Sequence, residues 1–171
     1  IKLSLIFLQN HTSEEPWVEF GDLAWETRCK VEAMKMIARW LVGLKDDTIS
    51  AQKTFRMLNA HITSKGDFMK VGNLGMNKIV RTKIGKTIIK IIREIYSIFE
   101  PSFSTAECSW LRLAAGCAML KICEQKGVGD VYTVEQFYNL SQLVVDDVKQ
   151  VREQFVAKLH KVCLEYSKYF S

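Results

Sequence analysis

A few short stretches of this chain carry residues that could do chemistry. Ile84-Gly85-Lys86-Thr87 ends as a phosphate-cradling loop ends. Such a loop also needs a glycine five residues before its Gly-Lys-Thr glycine and a strand leading into it; here that position is Val80,. The pattern is therefore incomplete, and no nucleotide or other cofactor is expected. Cys108, Cys117 and Cys123 are nine and six residues apart, with no Cys-x-x-Cys pair and no neighbouring histidine. That spacing does not build a zinc site, and thiols packed among apolar side chains are the plainer reading. His61 and His160 have no nucleophile and carboxylate beside them in sequence,. No catalytic residue and no metal ligand is assigned, and the expectation is a protein that is not an enzyme.

The strongest charge feature is Lys78, Arg81, Lys83, Lys86, Lys90 and Arg93 in a chain of net charge +5. These six side chains admit several readings. They suit phosphate contacts with salt-sensitive, sequence-independent affinity, which makes a basic helical nucleic-acid-binding module centred on 78–93 the alternative function. They also suit a basic amphipathic face against an acidic membrane or protein surface, or a solvated face over an isoleucine core. The Lys, Ile, Asn and Phe bias there is also what AT-rich DNA encodes, which leaves translated intron as a further reading.

The elements that must position these residues read as helices. Two prolines and nine glycines in 171 residues are too few for a strand-and-turn architecture,. Val31, Met34, Ile37, Ala38, Leu41, Val42 and Leu44 recur at three- and four-residue steps and predict a helix over 26–44,. After the polar break at Lys45–Thr48, with Thr48 or Ser50 as cap, Phe55, Leu58 and Ile62 mark a second helix over 50–63,. The isoleucine-rich stretch 76–99 is expected to be helical and to end before Pro101. Over 105–124, Trp110, Leu113, Ala114, Cys117, Leu120 and Lys121 share a face, and Trp40 and Trp110 read as core,. Thr133-Val134-Glu135-Gln136 is a capping box, with Phe137, Leu140, Leu143 and Val144 following on one face,. A partner helix over 148–163 carries Val151, Phe155, Leu159 and Val162.

Helical pairs are thus expected at about 26–63 and 133–163, with additional helices at 76–99 and 105–124. No single pair has enough apolar surface to fold alone, and stacking the pairs buries a continuous core. The expected fold class is all-α, HEAT-type helical repeats, an α-solenoid fragment forming one array over 1–171. Asp146-Asp147 followed by Val151-Arg152 marks the second helix of such a repeat: the aspartate caps the helix and accepts from an arginine of its own or an adjacent repeat,. Arg112, Asp146, Val151 and Arg152 are the structural motif residues, and Lys149, Lys158 and Lys161 are candidate contacts. Five scattered cysteines suit reduced thiols, no stretch reaches the roughly 18 apolar residues of a membrane span, and Ile1 at the start suggests a piece of a longer protein,.

Ordered segments make the reading more specific. Ser109-Trp110-Leu111-Arg112-Leu113-Ala114-Ala115-Gly116, then Thr133-Val134-Glu135-Gln136-Phe137, then the run from Val151 to Lys161 together resemble a HEAT block of the Pds-five (precocious dissociation of sisters, protein five) family of cohesin regulators. The runs Val31–Lys45 and Thr54-Phe55-Arg56-Met57-Leu58, then Gly66-Asp67, fit the same family upstream. The resemblance covers about two thirds of the chain. It departs at residues 75–103, which have no family counterpart, and in the tail after Lys161. The resemblance implies a non-catalytic scaffold in the nucleus, associated with chromatin. It further implies binding to the cohesin complex through its kleisin subunit, with Wapl- and sororin-type regulators as other partners. Apart from the resemblance, DNA contact is possible and unproven, and no membrane is expected.

Overall fold

The computed structural model describes residues 15–44, 48–66, 103–125, 127–128 and 131–167. The expected helix at 76–99, the Gly85-Lys86-Thr87 stretch and the basic residues Lys78 to Arg93 lie outside the described residues. Within them, five α-helices run in chain order: α1 (Trp25–Gly43), α2 (Thr48–Thr63), α3 (Thr105–Cys123), α4 (Val134–Ser141) and α5 (Lys149–Ser167). Short 3-10 turns occupy Phe20–Asp22 and Gln142–Val145. No strand occurs among the described residues.

Packing follows layers more than sequence neighbours. α3 lies against α1, α2 and α5, while α2 also packs against α4. α1, α3 and α5 thus form one row, and α2 and α4 a second row laid on it. Two rows of alternating helices are the arrangement of a HEAT-type α-solenoid. The fold class is all-α helical repeat, as the periodicity and breaks of the sequence predict.

Burial explains each helix. α1 turns Val31, Met34, Ala38 and Leu41 inward at three- and four-residue steps,. α2 does the same with Phe55, Leu58 and Ile62. It begins at Thr48, so Ser50 lies inside the helix and is buried instead of capping it.

α3 differs from the one-faced helix the spacing suggests. Twelve of its 19 residues are buried, around its whole circumference, from Ala106 to Ile122. The cause is its central position, which demands small residues where neighbours come closest. A Cβ on Gly116 would stand 2.2 Å from Leu143 Cδ1 and 3.1 Å from Phe155 Cε2. Trp110, Cys117 and Lys121 are only half-buried.

Two capping boxes start the helices that follow breaks. The Ser104 hydroxyl accepts from the Glu107 amide at 3.3 Å, and the Glu107 carboxylate accepts from the Ser104 amide at 2.8 Å. Thr133 and Gln136 exchange the same pair at 3.2 and 3.0 Å. Each box satisfies two otherwise orphaned amides at a helix start. α4 also departs from expectation. Leu140 and Leu143 are buried, but Phe137 is 63% and Val144 is 40% exposed. Among the described residues α4 meets the core along Gln136 and Leu140, and the 3-10 turn after it along Leu143; α2 and that turn are its main packing partners.

Candidate functional site

The most concentrated polar chemistry sits where α2 ends, α3 passes and α5 begins. α2 ends in a left-handed turn, with Lys65 at φ 55° and Gly66 at φ 83°. Gly66 is required twice over: its φ suits glycine, and a Cβ there would fall 2.1 Å from the Cys108 carbonyl oxygen,. This turn delivers the Lys65 carbonyl to α3, where Arg112 Nη1 donates to it at 2.8 Å. Arg112 Nε and Nη2 donate to the two carboxylate oxygens of Asp146 at 2.9 and 3.0 Å. Both side chains are about nine-tenths buried, at 11% and 9% exposed.

Asp146 Oδ1 also accepts from the Val148 amide at 2.9 Å, so the carboxylate caps the start of α5 as well as holding the guanidinium,. Arg152, one turn inside α5, reaches the backbone rather than the carboxylate. Its Nη1 donates to the Asp146 carbonyl and, at 3.2 Å, to that of Asp147. Val151 is fully buried beneath this turn. The forked arginine thus joins three elements by directional, charge-assisted bonds. A cleft of about 530 Å³ opens beside it, lined among others by Lys65, Phe103, Val145 and Asp147.

Beside this joint residues 16–20 cross α3, and the Ser109 hydroxyl that accepts from Arg112 Nη2 at 3.4 Å also touches them. Trp17 stacks on Trp110 with ring centroids 4.3 Å apart, and Phe20 meets the same ring at 5.2 Å. Trp110 Nε1 donates to the Val18 carbonyl and the Ser109 hydroxyl to the Pro16 carbonyl, both at 2.9 Å. The available signal was two aromatic residues three apart, Trp17 and Phe20, ahead of a helix.

Ionisable groups in the interior are held quiet. His61 is 1% exposed, and burial, followed by the nearby Lys30 charge, lowers its pKa to about 4,. Lys30 is itself buried at the α1–α3 contact, its ammonium 4.0 Å from the centroid of Phe103,. Burial lowers its pKa, and Glu107 and Glu26 oppose the shift. Burial raises the thiols of Cys117 and Cys123 to about 11, which keeps them protonated and poorly nucleophilic,. Cys29 and Cys163 are exposed. Among the described residues no group of three or more His, Cys, Asp or Glu side chains converges as a metal site would. No helix among them is long and apolar enough to cross a membrane.

The candidate contact lysines fall on α5. Lys149 is exposed and pairs with Glu153 at 3.6 Å; Lys161 is exposed; Lys158 is half-buried, 3.9 Å from Glu124. The cluster from Lys78 to Arg93 lies outside the described residues.

Stacked helices whose buried charges are spent on joining one helix to the next define a helical-repeat scaffold. The model of the family described as "Sister chromatid cohesion protein PDS5 protein" matches residues 6–166, and the chain belongs to that family. Among similar curated proteins is sister chromatid cohesion protein PDS5 homolog B-B of Xenopus laevis, 30% identical over 146 residues, which is 85% of this chain and 8% of that protein. PDS5 homolog A of Homo sapiens is 29% identical over 150 residues, 87% of this chain and 9% of its own length. PDS5 homolog B of Homo sapiens is 30% identical over 146 residues, with 85% and 8% covered. The chain therefore spans less than a tenth of the curated relatives it matches. No solved structure matches it.

Proposed function

We propose that this segment is a non-catalytic block of a HEAT array within a sister-chromatid cohesion regulator. In this reading the parent protein acts on chromatin in the nucleus. It binds cohesin through the kleisin subunit and engages release and retention factors of the Wapl and sororin types. The observation that carries the reading is the family match over residues 6–166. The chemistry of the interior agrees with it: the buried arginine and aspartate are consumed in joining helices, and the buried histidine and thiols are held neutral. Arg112, Asp146, Val151 and Arg152 serve architecture in this reading, and Lys149 and Lys161 are the exposed contacts on offer.

The test is recovery of the tagged parent protein from nuclear extract, with the co-purifying proteins identified by mass spectrometry. Cohesin subunits are the expected companions, and a preparation devoid of every cohesin subunit would refute the proposal. A DNA titration of the segment at two salt concentrations separates the alternative centred on 78–93. Tight binding that collapses at the higher salt supports the nucleic-acid reading.

A further inference from the structure

We draw no further inference here: the strongest candidate, the cleft of about 530 Å³ between the end of α2, α3 and the start of α5, lined among others by Ile62, Lys65, Phe103, Leu143 and Asp147, carries nothing because nothing in the structure shows what covers it.

Discussion

Arg112 is the residue whose removal tests the joint most directly. Its guanidinium makes two bonds to Asp146 and one to the Lys65 carbonyl, with both charged groups about nine-tenths buried. Arg112→Ala strands a carboxylate that, among the described residues, keeps the Val148 amide alone, and it leaves the Lys65 carbonyl without this donor. Breaking a buried pair from one side costs about 3–5 kcal/mol, and the remaining exposure and the surviving amide argue for the low end, about 3 kcal/mol. Arg112→Lys keeps the charge but replaces a fork by a point donor, which cannot serve both carboxylate oxygens and the carbonyl at once; about half that loss is expected.

Urea unfolding followed by tryptophan fluorescence and far-ultraviolet circular dichroism reads these changes. With a denaturant slope of about 2 kcal/mol per molar, Arg112→Ala shifts the midpoint down by about 1.5 M. A double-mutant cycle with Asp146→Ala isolates the pair, and a coupling energy of about 2 kcal/mol is expected. A loss under about 1 kcal/mol for Arg112→Ala, or a coupling near zero, would show that the fork does not hold the helices together.

Two further outcomes follow from the same packing. Gly66→Ala forces a Cβ onto the backbone of Cys108 at a positive φ and should cost about 3 kcal/mol; Gly127→Ala has a similar φ of 84° but open space around it and should cost only about 1 kcal/mol,. Equal effects in thermal melts would contradict the close approach at α3. His61 has a folded pKa of about 4 against an ordinary 6.5, so between those values the unfolded chain holds a proton that the folded chain refuses. The resulting stability is complete above about pH 6.5 and declines as pH falls toward 4, by about 3 kcal/mol in all. His61→Gln should flatten that part of the stability profile, and an unaltered slope would mean that another group titrates there.

The sequence displayed local devices better than it displayed position in the stack. The Thr133 capping box, the buried stripes of α1 and α2 and the aspartate turn are patterns within a few residues, where one turn of helix decides the outcome. The Ser104-Thr105-Ala106-Glu107 box is a pattern of the same local kind. The burial of α3 was harder to see, because a helix enclosed on three sides has no polar face and its periodicity fades,. The fork from Arg112 to Asp146 spans 34 residues, and only the fold fixes which arginine takes the carboxylate. Two arginines were candidates, and Arg152 took the backbone carbonyls instead.

Phe137 shows where periodicity misleads. Its spacing from Leu140 puts it about 60° away on an ideal helix, yet Phe137 stands outside the core and Leu140 lies within it. An apolar stripe reports every surface a helix buries in the whole protein. A stripe can therefore be wider than the contact a helix makes with the core of one segment. Val134 and Phe137 on α4, with Val156 and Leu164 on α5, are that excess width.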